Sequence, residues 1–334
     1  MLNKKFEITF DEAIIIAEKY LTQKNIESAK LNAELLLQYA CKISSIDLRL
    51  KKNEIVPKEN LDLFYDLIAQ RATRKPLQYI LGYVDFYDVR LKINESVLIP
   101  RPETEQLIDI IKNENTTSNF SHPICYSRHC EDLSEAIYSI ENRLPRYARN
   151  DGYKINSINN ILDICSGSGC ISFALSKLYP NSKIDAIDIS KDAIDLAIEN
   201  SKFLNISNVN FIHCDLKKYN FGNKKYDLIV CNPPYIATSE YSELAPELFF
   251  EPKIALTDND DGLSFYRFLS ERIDKTVGDI SESATFIKLD KNGKVFFECG
   301  HCQAEIICNI FNEKNYRTKI FKDFANIERF VMVW

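Results

Sequence analysis

The chain has 334 residues, of which 45% are hydrophobic and 27% charged, and it carries a formal net charge of −6. This length allows two domains that each bury a core. A protein that binds a nucleic-acid backbone usually has an excess of basic residues, so the acidic net charge disfavours that class of protein. No apolar run reaches the roughly 18–20 residues that span a bilayer, and the N-terminal residues contain no apolar signal core. We therefore expect a cytoplasmic protein that has no membrane contact and acts on a protein or a small molecule.

The ten cysteines raise the alternatives of disulfides and a zinc site. Four of them lie within or at the ends of apolar strand-like runs, where cysteine behaves as a small hydrophobic residue: Cys165, Cys214, Cys231 and Cys299. The single C-x-x-C, Cys299 to Cys302, has no second pair at zinc spacing, and the cluster of Cys125, His129 and Cys130 has no partners either. The sequence therefore predicts reduced thiols and no metal site.

Residues 1–75 show helical patterns. Thr9 and Glu12 have capping-box spacing ahead of a first helix, Ser28 is a candidate N-cap for a second, and Ser44 or Ser45 for a third. Pro57 starts a fourth helix, with four large residues at helical spacing on one side: Leu61, Phe64, Tyr65 and Ile68. We predict a small all-α domain over 1–75, the alternative being a helical extension of a catalytic domain.

The pattern changes after Pro76. Two short pieces, 78–82 and 86–93, have a strand-like composition and are followed by Val97-Leu-Ile-Pro. We predict a β-hairpin linker over 76–101, and then a helix from Pro102 to about Lys112 at the start of a catalytic domain over 102–334.

The segment 113–157 is polar and contains four arginines: Arg128, Arg143, Arg146 and Arg149. A long segment without a periodic pattern is either functional or a tolerated insertion. We predict a surface insertion, with contact to a partner as the alternative.

From Ile161 onward, strand and helix patterns alternate. Strands are predicted at 160–165, 183–188, 208–213, 226–231, 293–299, 316–321 and 328–333, and helices at 169–179, 190–203, 261–273 and 302–313. Repeated βαβ units predict an α/β fold with a mostly parallel, doubly wound sheet that binds ligands at the carboxyl ends of its strands.

A glycine-rich turn follows the first of these strands. The residues are Cys165, Ser166, Gly167, Ser168 and Gly169, and glycine lets a ligand approach the backbone closely. A dinucleotide fingerprint would need a third glycine at Ser172. Asp188, at the end of the second strand, is placed to accept hydrogen bonds from ribose hydroxyls. Together, the glycine-rich turn and Asp188 indicate a cofactor that contains adenosine.

The fourth strand runs into Asn232, Pro233, Pro234 and Tyr235. Prolines fix φ and donate no N–H, so carbonyl groups remain free to accept hydrogen bonds from a ligand. An amide nitrogen is a poor nucleophile because its lone pair is delocalised. The Asn232 side-chain oxygen and the Pro233 carbonyl could accept its two hydrogens and hold it in line with a methyl donor, while Tyr235 stacks on the planar group.

With these motifs, the chain resembles the release factor glutamine methyltransferases among the class I methyltransferases that act on planar nitrogens. Further marks of that family cover nearly the whole chain except the insertion: Arg74-Lys-Pro-Leu-Gln-Tyr-Ile-Leu-Gly82, Leu98-Ile-Pro-Arg-Pro-Glu-Thr-Glu105, Phe250-Glu-Pro-Lys-Ile-Ala-Leu256, Asp261-Gly-Leu-Ser-Phe-Tyr-Arg267 and Phe297-Glu-Cys-Gly-His-Cys-Gln303. The resemblance implies a seven-stranded Rossmann-like methyltransferase domain, preceded by a small all-α domain and a β-hairpin linker.

The resemblance also implies roles for residues. S-adenosylmethionine would be the cofactor, with its methionine part wrapped by 165–169, its ribose bound by Asp188 and its adenine flanked by Asp215 and Leu216. Asn232 to Tyr235 would hold the glutamine amide, and the helical domain and hairpin would recognise a release factor that presents its Gly-Gly-Gln loop. Two positions depart from the family: Cys165 stands where glycine is frequent, so its backbone must tolerate a Cβ, and Leu216 stands where an aromatic residue is common.

Other functions remain open at this point. The same Asn-Pro-Pro-Tyr chemistry serves N-methyltransferases of RNA or DNA, which the acidic charge disfavours, and enzymes that methylate a ribosomal-protein glutamine. A binding protein with an inactive methyltransferase fold is disfavoured by the intact motifs. A nicotinamide dehydrogenase is disfavoured by the missing third glycine.

Overall fold

The structure is a computed structural model that describes residues 7–117, 154–155, 157–274 and 286–334. The described residues form two compact units, a smaller one of 7–83 with 246–250 and a larger one that contains the rest. The described residues include no helix that is long and apolar enough to cross a membrane.

The smaller unit contains five α-helices among its described residues, α1 (Phe10–Gln23), α2 (Ala29–Cys41), α3 (Ser45–Leu50), α4 (Lys58–Ala72) and α5 (Leu77–Leu81), and a 3₁₀-helix at Pro246–Phe250. The predicted capping box between Thr9 and Glu12 is present. Ser44, one of the two candidate N-caps of the third helix, forms a second capping box with Asp47. The four predicted residues of α4 are buried in the apolar core of this unit. Residues 246–250 belong to the same unit, and the Glu247 carboxylate there accepts two hydrogen bonds of 3.2 Å from Arg74 Nη1.

The start of α2 differs from the prediction. Ser28 precedes the helix, but its backbone is left-handed (φ 49°) and its side chain makes no capping hydrogen bond. Asn32, inside the first turn of the helix, holds the preceding residues instead, because its Nδ2 donates to the backbone oxygens of Glu27 (3.1 Å) and Ser28 (3.0 Å). Its Oδ1 in turn accepts a buried hydrogen bond of 2.7 Å from Arg71 Nε.

The prediction of a strand-like piece at 78–82 is wrong, because these residues form helix α5 and its C-cap. Pro76 precedes the helix, and Gly82 ends it in a left-handed conformation (φ 78°). A short apolar run is compatible with both helix and strand, and here Tyr79 and Ile80 are both buried on the helix. The hairpin itself is shorter than predicted, with β1 (Tyr83–Phe86) and β2 (Val89–Lys92) on either side of a turn, and 97–100 form no strand.

The predicted helix after Pro102 is present as α6 (Pro102–Glu114). The predicted insertion begins with β3 (Thr116–Thr117), which pairs antiparallel with β4 (Lys154–Ile155). The rest of the insertion, 118–153 and 156, lies outside the described residues, together with its four arginines and the cluster of Cys125, His129 and Cys130.

The larger unit is built on the predicted doubly wound sheet. Its strands are β5 (Asn160–Ile164), β6 (Lys183–Asp188), β7 (Val209–His213), β8 (Lys225–Cys231), β9 (Ile273–Asp274), β10 (Ile287–Glu298), β11 (Thr318–Lys322) and β12 (Glu328–Val333). The order is β11-β12-β10-β8-β5-β6-β7, with β9 added beside β10. Strand β12 is antiparallel to both of its neighbours, and the pairs from β10 to β7 are parallel. The predicted α/β fold is confirmed.

Five α-helices follow α6 among the described residues: α7 (Cys170–Leu178), α8 (Lys191–Leu204), α9 (Lys253–Leu256), α10 (Ser264–Arg272) and α11 (Ala304–Asn312). Successive strand residues point to opposite faces, and each face has its own buried core. Leu162 and Ile229 belong to the cluster that includes α10 and α11, and Ile161 and Leu228 to the cluster that includes α6 and α7. Each fully buried side chain of this size contributes about 1.5–3 kcal/mol, so both faces support the sheet. Strand β10 begins at Ile287, earlier than predicted, with an irregular register between Leu289 and Lys294.

Candidate active site

A cavity of about 310 Å³ lies at the carboxyl ends of β5, β6 and β8. The neighbours of β5 are β6 on one side and β8 on the other, so the strand order reverses at this point, where open α/β sheets bind their ligands. Seven of the residues predicted from the sequence line this one cavity: Cys165, Gly167, Asp188, Asp215, Leu216, Asn232 and Pro234.

The turn after β5 forms one wall. Gly167 has φ +51°, and a Cβ built at that position would meet no atom within 4 Å, so the backbone borders open space that a ligand can enter. Cys165 also has a positive φ, 61°, although it carries a Cβ. A left-handed backbone costs a residue other than glycine about 1–2 kcal/mol, so this position tolerates a Cβ at the expense of local strain.

Ser166, Ser168 and Gly169 do not line the cavity. The Ser166 N–H donates to the Ile187 oxygen (3.1 Å), and the Gly169 N–H donates to the Ser166 oxygen (2.8 Å). Both serines are buried, and α7 begins directly after Gly169. These three residues therefore shape the turn that presents Gly167.

Asp188 ends β6 and faces the turn. Its Oδ2 accepts the Gly167 N–H and its Oδ1 accepts the Ser190 N–H, each at 2.8 Å. Burial raises the pKa of Asp188. Each carboxylate oxygen has a second lone pair, so the side chain can still accept two hydroxyl donors while it holds the glycine turn.

The Asn232–Tyr235 segment follows β8 on the other side of β5. Asn232 and Pro234 line the cavity, whereas Pro233 and Tyr235 do not. Asn232 Oδ1 is buried and has no hydrogen-bond partner among the residues that the structure describes. An amide oxygen left in this state costs about 1–3 kcal/mol, which a ligand that donates a hydrogen bond would recover.

Two buried carboxyl groups beside this segment were not identified from the sequence. The register of β10 on β8 pairs Phe297 with Cys231, so Glu298 lies beside Asn232 at the ends of adjacent strands. Burial raises the pKa of Glu298 to about 7, and the positive charge of Arg329 opposes this shift. Burial likewise raises the pKa of Asp163, within β5, to about 7, and its Oδ2 accepts a 2.5 Å hydrogen bond from Ser172 Oγ. An acidic residue inside or at the end of an otherwise apolar strand is the feature of the sequence by which both groups could have been identified.

The far end of the cavity is more apolar. Leu216 lines it together with Ile189, Phe265 and Phe268, while Asp215 accepts the Lys217 N–H at 3.0 Å. The two phenylalanines lie on α10, and the sequence interpretation assigned them no role. An apolar wall beside a carboxylate suits a heterocyclic base.

Two further walls come from remote parts of the chain, 96–98 and 252–259. Glu251 connects them, because its buried carboxylate accepts the Ile99 N–H (3.0 Å) and pairs with Arg101 Nη2 (2.6 Å). This pair links two of the family motifs quoted from the sequence, although sequence reasoning did not pair them.

The cavity satisfies the requirements of an adenosine-containing cofactor. An open glycine backbone, a carboxylate with free lone pairs and an apolar wall lie in one space, and a buried amide oxygen without a partner lies at its side. Within the described ranges, no group of three or more His, Cys, Asp or Glu side chains could hold a metal ion.

Family models match two parts of the chain, a PrmC N-terminal domain at residues 12–82 and a methyltransferase domain at 155–324. A release factor glutamine methyltransferase of Fusobacterium nucleatum is 33% identical over 94% of this chain and 75% of its own length. One from Thermodesulfovibrio yellowstonii is 32% identical over 90% of this chain and 91% of its own length. A bifunctional methyltransferase of Rickettsia felis is 32% identical over 95% of this chain, which spans only 56% of that relative.

Proposed function

Since the chain belongs to the release factor glutamine methyltransferase family, we propose that it methylates the N5 side-chain nitrogen of the glutamine in the Gly-Gly-Gln motif of peptide chain release factors. The methyl donor of this family is S-adenosylmethionine. When bound, this cofactor supplies an electrophilic methyl group on its sulfonium centre.

The glycine turn and Asp188 are proposed to hold the cofactor. Gly167 leaves room against its backbone for the methionine part, and Asp188 has lone pairs for both ribose hydroxyls. Asp215 and Leu216 would border the adenine, with Phe268 on the same apolar wall. An aliphatic side chain at Leu216 packs against a base without ring stacking, so the phenylalanines of α10 are proposed to supply the aromatic contact.

The proposed amide site rests on one observation, the buried Asn232 Oδ1 that has no partner within the described part of the chain. This oxygen would accept one hydrogen of the glutamine amide, and the Pro233 carbonyl would accept the other. Two acceptors fix the nitrogen in position and stabilise the positive charge that develops on it as the new N–C bond forms. Tyr235 lies outside the cavity lining, and its stacking on the amide stays a prediction from the sequence.

The helical domain at 1–75 and the hairpin linker at 76–101 are proposed to recognise the release factor. The matching family model over 12–82 supports a distinct N-terminal module. In this proposal, the module contributes to affinity for the protein substrate and takes no part in cofactor binding.

The test is transfer of labelled methyl from S-adenosylmethionine to a purified release factor, with a Gln→Ala change in the Gly-Gly-Gln motif as the control. Label in the unmodified factor and none in the control would support both the substrate and the target residue. Peptide mapping by mass spectrometry would then show whether the methyl group is on the side-chain nitrogen.

The same assay addresses the rival functions. Absence of label in release factors, with transfer to bulk RNA, to DNA or to a ribosomal protein, would refute the proposed substrate. Cofactor binding without transfer to any acceptor would identify a binding protein instead.

A further inference from the structure

We propose that Gln303 is a positioning residue that holds the Asn232–Tyr235 segment in its active geometry through the backbone of Tyr235. This inference rests on the proposed function, because it assigns a role at the same amide site. Gln303 is the last residue of the 297–303 motif of the sequence.

The Gln303 side chain contacts the backbone of three separate loops. Its Nε2 donates to the Tyr235 oxygen at 2.9 Å and lies 3.5 Å from the Gly262 oxygen, and its Oε1 accepts the Gly300 N–H at 2.9 Å. One amide group therefore joins the loop after β8, the loop before α10 and the loop after β10. This use of both ends of the amide requires glutamine chemistry, since a carboxylate cannot donate and an ammonium cannot accept.

The helix that follows does not account for this arrangement. Gln303 is the N-cap residue of α11, but its side chain makes no capping hydrogen bond to that helix. The side chain is directed to the neighbouring loops, so a role in starting the helix would leave its contacts unexplained.

The atoms around the Gln303 side-chain amide are closely packed and leave no room for an added side chain. A Cβ at Gly262 would lie 2.3 Å from the Tyr235 oxygen and 2.7 Å from Gln303 Nε2. A Cβ at Gly300 would lie 3.0 Å from Gln303 Oε1. The tight fit means that the Tyr235 carbonyl has little freedom to reorient while Gln303 is in place.

The two prolines connect the fixed Tyr235 carbonyl to Asn232, whose side chain is proposed to bind the glutamine amide. Pro233 and Pro234 fix φ at two positions between Asn232 and Tyr235, so a shift of the Tyr235 peptide moves the Asn232 end as well. Downstream, the Ile236 N–H donates to the Leu256 oxygen (2.9 Å) and the Thr238 N–H to the Asp260 oxygen (2.8 Å). These bonds would report on any loosening of the segment.

The experiment compares Gln303→Met and Gln303→Glu in the full chain with a matched control, Asn208→Ala. Methionine preserves the length of the side chain without its hydrogen bonds, and glutamate preserves only the acceptor. Asn208 is also a bridging amide of the larger unit, with Nδ2 donating to the Ser182 oxygen (3.0 Å) and Oδ1 accepting Ser176 Oγ (2.6 Å), but it lies at the amino ends of the strands.

Three quantities are measured for each folded variant: kcat with a release factor, the dissociation constant of S-adenosylmethionine, and the hydrogen exchange of Ile236 and Thr238. We expect both Gln303 variants to lose about 10-fold to 100-fold in kcat, because a small misplacement of a reacting group has that effect. Cofactor affinity should stay within about twofold of wild type, and exchange at 236–238 should accelerate. Asn208→Ala should change neither kcat nor this exchange.

Equal kcat and exchange in the Gln303 variants and the control would overturn the proposal, as would faster exchange without a loss of kcat. If methionine prevents folding, the glutamate variant decides on the same criteria. If the wild-type chain labels no release factor, the proposed function fails, and the exchange comparison alone then decides whether Gln303 holds the segment.

Discussion

Replacement of Gly262 by alanine should destabilise the larger unit by more than its backbone conformation explains. Gly262 has φ +81°, and an added Cβ would lie 2.3 Å from the Tyr235 oxygen, well under the 3.0 Å below which real contacts essentially never fall. The left-handed backbone alone costs about 1–2 kcal/mol. Relief of the clash must also displace the Gln303 hydrogen bonds, at about 1 kcal/mol for each bond lost.

Gly222→Ala provides the matched control. Gly222 has φ +59°, and a Cβ there meets no atom within 4 Å, so this variant carries the conformational cost without the clash. We expect Gly262→Ala to lose about 1–2 kcal/mol more than Gly222→Ala. Urea unfolding followed by the emission of Trp334, the single tryptophan, measures both variants in the unit that contains them. Equal losses of unfolding free energy in the two variants would show that the residues around Gly262 relax at no cost, and would refute the steric argument.

Three other outcomes are expected. Asn232→Ala should retain cofactor affinity and lose about 10²–10³-fold in turnover, and near-normal single-turnover rates would contradict the role of its oxygen. Because the folded pKa of Glu298 is raised from 4.5 to about 7, its stabilising contribution is complete below about pH 4.5 and is lost as the pH rises through 7. Glu298→Gln should therefore remove about 2–3 kcal/mol of the difference in unfolding free energy between pH 5 and pH 8 in urea unfolding, and an unchanged difference would argue against the shift. Deletion of 1–75 should raise KM for the release factor and leave the dissociation constant of the cofactor intact, whereas an unchanged KM would exclude a recognition role.

The sheet was predictable from the sequence because its strands are short apolar runs separated by amphipathic helices. All seven predicted strands are present, with their ends shifted by a few residues, and β9 was not predicted. The wrong predictions arose where a short stretch of sequence is compatible with more than one local structure. Tyr79 and Ile80 fit a strand as well as the helix that they form, and Ser28 has the composition of an N-cap but not its backbone conformation. Propensity alone could not decide either case. At 77–81 the helix places Ile80 in the core of the helical unit.

The site was predictable where one segment carries its own chemistry. The glycine turn, Asp188 and Asn232 are recognisable by residue type and by position at strand ends, and the structure places them in one cavity. Glu298 and Gln303 depend on pairing between remote segments, which composition does not reveal. Their positions beside the Asn232–Tyr235 segment became visible only with the register of β10 on β8 and the contacts of the Gln303 amide.

The Glu251 carboxylate fixes part of the cavity wall before any ligand binds. It joins the walls at 96–98 and 252–259 by holding the Ile99 N–H and Arg101, so these walls form one continuous rim. Residues fixed before binding lose little conformational freedom when the ligand arrives, so this rim favours affinity through preorganisation.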